Sequence, residues 1–418
     1  MERKPRNSTA TAIFLLSAAV VSLRCGSHTN LDGPDGDAGA AEEWGPSVVD
    51  VAPGGWADSG TPWMPPPEHN PCAGAGFSYV DLLASEDALY LSWAWTSVRV
   101  DPGLGYHVLA VNSAVSANRG AGWTEVHHAR DPLDAFPDQV CVARLAGCPA
   151  GQLVVRVWES EGIHAPLANL DESGLHLWPD SLWDISDPYF VSDSLAYAVW
   201  GGTDSKVLRF DGSDWIPVVE VLPYDLPYQL VSKIWADERD LFVAGERGTI
   251  LSLDDTGWRN HALGTTRPIS ALWGLAGDDV WAADDGGALF HWDGVRWSVQ
   301  DWPNLASEEA EPCDEPQSII GIWGSGDTVY FHTVREILAW RGGEWDVLGY
   351  WPGTRAAEGR CDGGVAVLAL AGLSATTVFF AAAELEPEDE VGDTTVYTRT
   401  CLNRPFVLFW DGSTFHWI

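Results

Sequence analysis

One unit recurs along this chain, and its periodicity limits the fold more than any single residue does. Residues 269–299 read ISALWGLAGDDVWAADDGGALFHWDGVRWSV. The preceding copy, residues 234–258, reads IWADERDLFVAGERGTILSLDDTGW, and the following copy, residues 322–345, reads IWGSGDTVYFHTVREILAWRGGEW. Each copy holds four short apolar runs, which in the middle copy are residues 269–273, 279–283, 288–292 and 296–300. Val, Ile, Leu, Phe and Trp dominate these runs and suit a pleated, half-buried surface. Between them sit Asp285-Gly286-Gly287 and Asp293-Gly294, pairs that tolerate the positive φ of tight turns, so both junctions predict hairpins. Four antiparallel strands in roughly 30 residues, returning every 40–50 residues, describe one blade of a propeller.

The last turn recurs most clearly, in the copies at Asp211-Gly212, Asp293-Gly294 and Asp411-Gly412, with an aromatic on either side. The spacing predicts that Trp235, Trp258, Trp273, Trp297, Trp323 and Trp345 fill the space between neighbouring blades, where a large flat ring buries much area. Weaker copies extend the array. Residues 80–93 with 107–112 and 122–123 form a first blade with a long insertion, residues 142–158 with 175–178 a second, and residues 191–215 a third. The strong copies, 231–258, 269–300 and 319–345, are the fourth to sixth. Residues 365–382 with 406–415 are a seventh, interrupted by the acidic insert 384–393. The expectation is a single all-β propeller of seven four-stranded blades over residues 77–418. Closing the ring would leave only short, protected sheet edges.

The formal charge is −37, with Lys4, Lys206 and Lys233 the only lysines. Such a surface repels nucleic acid and anionic lipid head groups, and it can attract cationic partners or Ca²⁺. The N-terminus reads as an export signal over residues 1–24. Arg3, Lys4 and Arg6 precede an apolar stretch, residues 10–23, that is too short for a membrane span. Residues 25–76, rich in Gly, Pro, Asp, Ser and Ala, read as an extended tether. Within it, residues 32–37 have a faint likeness to a calcium loop but lack the distal carboxylate.

Export permits disulfides. Setting Cys25 aside leaves six cysteines. Cys141 and Cys148 can close a small loop, Cys313 and Cys361 flank the sixth blade, and Cys72 with Cys401 would clasp the first blade to the last. Cys361 with Cys401 is the rival pairing, and six cysteines allow fifteen arrangements. No Gly-x-Ser-x-Gly, His-Glu-x-x-His, phosphate-loop or dinucleotide motif occurs, and no Cys-x-x-Cys, so no catalytic residue and no metal ligand is assigned. The tandem His127-His128 cannot converge on one ion from a regular strand, because successive side chains point to opposite faces. The acidic runs at 308–315 and 384–393 read as solvated loops.

The unit IWG…DDVWAADDGGALFHWDGVRW resembles the Trp/Asp-Gly repeats of bacterial propeller lipoproteins, a group abundant in myxobacteria and their relatives. More distantly it is similar to Asp-box and photosystem-assembly-factor propellers. It departs from the Asp-box pattern because Gly294 follows Asp293 directly, and from the WD pattern because the Gly-His lead is missing. Ser22-Leu23-Arg24-Cys25 resembles a lipoprotein signal, with Arg24 where a small residue is usual. The resemblance implies lipidation at Cys25 and an exported protein anchored through that lipid alone. It implies an envelope propeller of largely unknown role. The export signal, the tether, the ring and the lack of a catalytic motif point to a non-enzymatic binding or assembly platform, its partner an envelope protein or glycan, with no cofactor. Two alternatives are a polysaccharide hydrolase or lyase with acids at the central channel and a calcium-stiffened adhesin.

Overall fold

Twenty-eight strands, numbered β1 to β28 in chain order, form seven sheets of four. A computed structural model describes residues 75–418 apart from 86, 102–104, 121, 133–140, 148–151, 159–166, 179–184, 201–205, 220–230, 306–316, 352–363 and 388–399. Each sheet is an antiparallel meander of sequence-adjacent strands. The blades occupy residues 75–132, 141–177, 185–219, 231–262, 269–300, 321–350 and 364–417. The first strand of each blade packs on the first strand of the next, and β1 (Ala75–Ala84) packs on β25 (Gly364–Ser374), which closes the circle. The fold is the seven-bladed propeller that the repeats predict.

The inner layers explain the sequence pattern. Strands β14 (Leu241–Gly245) and β22 (Thr328–His332) are buried at every position. A second strand has a neighbouring blade on each face, so its sequence runs LFVAG or TVYFH without polar alternation. Fourth strands such as β24 (Glu344–Tyr350) face solvent and read EWDVLGY. Trp281, Trp323, Tyr330 and Phe331 are among the largest fully buried side chains, each contributing about 2–3 kcal/mol of transfer free energy. Trp281 meets Phe331, Trp340 and Trp345 of the next blade at ring-centroid distances of 5.3, 5.1 and 6.3 Å.

Two glycines seat this packing. A Cβ on Gly274 would lie 2.7 Å from the Trp235 ring, and one on Gly372 would lie 2.5 Å from the Trp323 ring. In each case an indole of one blade lies against the bare backbone of the next.

The first and last blades are taller than the rest. The stretch that reads as an insertion in blade 1 is ladder, with one register shift between Ser97 and Val98. Strands β2 (Leu89–Asp101) and β3 (Gly105–Asn118) stay paired from Leu89↔Asn118 to Asp101↔Gly105. In blade 7, β26 (Thr377–Pro387) pairs with β27 (Thr400–Trp410) up to Pro387↔Thr400, so Glu384 to Pro387, part of the expected acidic insert, belongs to the sheet. Blade 4, by contrast, pairs β14 with β15 (Thr249–Asp254) only from Leu241↔Leu253 to Ala244↔Ile250.

Cys25, Cys72, Cys148, Cys313 and Cys361 lie outside the described residues, as do the signal segment and residues 25–74 of the tether. Cys141 and Cys401 are described by backbone alone.

Candidate functional site

Strand polarity sorts every connection onto one of two faces. In a four-stranded meander the 1–2 and 3–4 turns share one end. The 2–3 turn and the link to the next blade share the other. The first face is built from compact Asp-capped turns. Asp293 closes the hairpin between β19 (Leu289–Trp292) and β20 (Trp297–Gln300): its Oδ1 accepts the amides of Val295 and Arg296 at 2.9 and 2.8 Å, and Gly294 supplies φ +83°. Asp411 does the same for Ser413 and Thr414, at 2.8 Å each, with Gly412 at φ +96°. Asp211 holds Ser213 and Asp214 at 2.9 Å each. These amide bonds, with the Ser213 hydroxyl, hold Asp211 below the usual carboxylate range, and the amides of Arg296 and Val295 do the same for Asp293. The turn is therefore set by a side chain as much as by glycine, and an Asp at its first position, exposed at 211 and 293 and half-buried at 411, leaves few amides unpaired.

A second feature of these hairpins went unread in the sequence. Five residues after the capping Asp, three blades place a His or Arg that folds back on it. Asp171 meets His176 at 3.2 Å, Asp254 meets Arg259 at 3.0 Å and Asp411 meets His416 at 3.0 Å. The pattern Asp-x-Ser/Thr-x-x-His/Arg, in DESGLH, DDTGWR and DGSTFH, was the available signal. For Asp411 burial pushes the pKa up, but bonds from His416, the Thr414 amide and Ser413 outweigh it and hold it at about 2.

Histidines also line the joins between blades. His261 accepts or donates to Ser252 Oγ at 2.7 Å and meets Trp292 edge-on at 4.8 Å. Burial and the Arg259 charge lower its pKa. His291 stacks on Trp281 at 4.2 Å and contacts Asp279 at 2.8 Å. His332 is fully buried, with Nδ1 3.1 Å from the Thr333 carbonyl. Burial drives its pKa down to about 4.

The opposite face is irregular. Turn 333–335 in blade 6 is buried and stapled. Thr333 Oγ1 accepts the amides of Arg335 and Glu336, Glu336 Oε1 accepts the Leu305 amide at 2.6 Å, and Arg335 Nη1 donates to the Val365 carbonyl at 3.1 Å. This ties the blade 6 turn to the link from blade 5, through Leu305, and to the first strand of blade 7, through Val365. The links differ widely: residues 263–268 join blades 4 and 5, residues 301–320 join blades 5 and 6, and residues 351–363 join blades 6 and 7. The tall ends of the blade 1 and blade 7 hairpins rise on this face, side by side, because β1 packs on β25, β26 and β27. Eight more residues in β2 than in β14 (13 against 5) raise that hairpin by roughly 25 Å.

The expected structural residues fall as follows. Trp235, Trp273 and Trp323 are buried in first strands, and Trp258, Trp297 and Trp345 are half-buried at the start of fourth strands. His127 and His128 pair with Val115 and Ala114; a register shift lies just before them, between Glu125 and His127, and leaves the two as successive ladder positions. Among the described residues no group of three or more His, Cys, Asp or Glu side chains is placed to hold a metal ion, and no helix is long and apolar enough to cross a membrane.

No family model matches the chain, and no curated protein matches it by sequence. Among solved structures it is distantly similar to YCF48 from Cyanidioschyzon merolae, with TM-score 0.43 and 14% identity over 66% of this chain and 89% of that one. YCF48 bound to D1 peptide gives 0.45 and 9% over 73% and 89%. Chaetomium thermophilum Sqt1 bound to the N-terminus of the ribosomal protein L10 gives 0.43 and 12% over 72% and 80%.

Proposed function

We propose that this chain is a non-enzymatic binding or assembly platform. Its partner, an envelope protein or glycan, meets the face that carries the tall hairpins and the long links. One observation carries the reading: seven near-equivalent sheets form a rigid ring, yet on that face the connections diverge in length and composition while the strands repeat. Strands that repeat build the scaffold, and loops that diverge on a rigid scaffold are where recognition resides. The N-terminal sequence supports export and a lipid on Cys25, with the residues between Cys25 and β1 as the tether. Cys25→Ser should abolish labelling by a fatty-acid analogue.

Photo-crosslinking tests the face. A benzophenone amino acid at position 386 or 403, in the tall part of blade 7, should give a discrete adduct in intact cells. The same group at position 295, exposed on the opposite face, should not. Equal adducts from both faces, or none from 386 and 403, would overturn the assignment.

A further inference from the structure

We infer that residues 333–336 of blade 6 form an acid-released latch: a proton taken up by His332 opens this turn and frees the segments it holds on the irregular face. Only the consequence, a loosened docking face, rests on the platform reading. The turn gathers three segments that are far apart in the chain. From the link that arrives from blade 5, Glu336 Oε1 accepts the Leu305 amide and the His332 carbonyl accepts the Ile320 amide at 2.9 Å. From the link that leaves for blade 7, the Arg335 carbonyl accepts the Trp351 amide at 2.9 Å. From β25, the Val334 carbonyl accepts the Val367 amide at 2.8 Å, and Arg335 Nη1 donates to the Val365 carbonyl. The turn keeps its own shape through Thr333, whose amide donates to the Glu336 carbonyl at 3.0 Å and whose Oγ1 accepts the amides of Arg335 and Glu336 at 3.0 and 2.9 Å.

His332 ends β22, directly before this turn, and its seat accepts only a neutral ring. The Thr333 carbonyl near Nδ1 can only accept, so Nδ1 carries the proton and Nε2 a lone pair. Nε2 is buried with no hydrogen-bonding partner, and it faces Gly321 across the ladder, where a Cβ would lie 2.3 Å from it. A proton added there would be a buried donor without an acceptor, on a buried charge. No neighbouring group compensates that charge. Neither β21 (Gly321–Ser325) nor β25 carries a titratable side chain, and Asn304 and Leu305 of the link carry none. In the turn, Glu336 is engaged with Leu305 and Thr333, and Arg335 with Val365. Tyr330, two residues back, donates its hydroxyl to the Ala375 carbonyl. The imidazolium is therefore accommodated only when the ring leaves its seat. β22 is buried at every position, so the neighbour that can yield is the turn.

Hydrogen exchange of the chain alone, resolved to single amides and corrected for the intrinsic pH dependence of exchange, tests the latch. Burial holds the seated ring at about 4, against 6.5 once it is released. The opened turn thus gains a proton that the closed one refuses, and its population should rise about 20-fold from pH 7 to pH 5. The amides of Ile320, Glu336, Trp351 and Val367 should gain that factor in rate. They should exchange faster than Val243 in β14 and with little dependence on urea, as in a local opening. His332→Gln should remove the gain; if that variant fails to fold, His332→Phe serves. His261→Gln, which removes another buried histidine, in blade 4, should retain it. Unchanged protection of the four amides at pH 5, a gain that survives replacement of His332, or exchange only at the rate of Val243 would each overturn the latch. None of these results bears on cross-linking at 386 and 403, which judges the docking face by itself.

Discussion

At the scale of single residues, the two most perturbed side chains titrate in the same direction for different reasons. His332 is buried without a carboxylate, and its pKa falls to about 4. Its unfolded value is near 6.5, so below that pH the unfolded chain takes a proton that the folded chain refuses. Stability attributable to this site is therefore intact above pH 6.5 and is lost as pH falls to about 4, by about 3 kcal/mol in all. His332→Gln should flatten that part of the pH profile of the urea midpoint; an unchanged slope would place the acid sensitivity elsewhere. Asp411 is held at about 2 against an ordinary value of 3.8. Its contribution is complete above that ordinary value and disappears as pH falls through 2. Asp411→Ala should cost about 1–3 kcal/mol at neutral pH, because two amides and a histidine lose a charged acceptor. The deficit should shrink between pH 4 and pH 2. A deficit that stayed constant would mean the carboxylate acts only by its shape.

At the scale of the element, the glycines separate two physical causes that look alike in sequence. Gly372 has ordinary backbone but no room, since a Cβ would press into the Trp323 ring. Gly343 has open space around it and φ +93°, in the turn joining β23 (Glu336–Arg341) to β24. Gly372→Ala should therefore cost about 1–3 kcal/mol by overpacking, and Trp323→Leu should relieve part of it. Gly343→Ala should cost about 1 kcal/mol through backbone strain alone, with no such rescue. Thermal melts of the three single variants and the Gly372→Ala, Trp323→Leu double variant decide the matter; strict additivity of that pair would show that the two residues do not share a seat.

The hairpins themselves were legible because Asp-Gly and Gly-Gly mark turns locally. The tall pairing of β2 with β3 was not read, although Asp101-Pro102-Gly103 is itself a turn signal. Pairing across that turn is set by partner register rather than by anything in residues 94–106 alone. The Asp-to-His folds were missed for a related reason: a five-residue offset belongs neither to the strand period nor to the helix period.

At the scale of the whole molecule, the question is how the circle stays closed. In every blade all four strands come from one continuous stretch, so no strand is shared between the first blade and the last. Blade 1 and blade 7 meet instead through a core of their own. Leu82, Leu89, Leu91 and Trp93 pack with Phe379, Phe409, Val407 and Ile418 in a cluster separate from the main one. Phe379 and Phe409 stack at 5.3 Å, and Ile418 is anchored by its amide to the Val407 carbonyl at 3.3 Å. Nothing in the repeat unit predicts this seam, because a repeat describes only how each copy meets its neighbour in sequence. Without a shared strand, closure depends on apolar area at the seam. Phe409→Ala should remove about 3–5 kcal/mol there. Its effect should also be local before it is global. Hydrogen exchange should accelerate first in β1, β2 and β27, with β14, β18 (Asp279–Asp284) and β22 keeping their protection. Phe331→Ala, an equally buried ring between blades 5 and 6, should instead expose the middle of the array. If Phe409→Ala loosened all seven blades at one rate, the ring would be a single cooperative unit with no weak join, and the seam would have no mechanical identity.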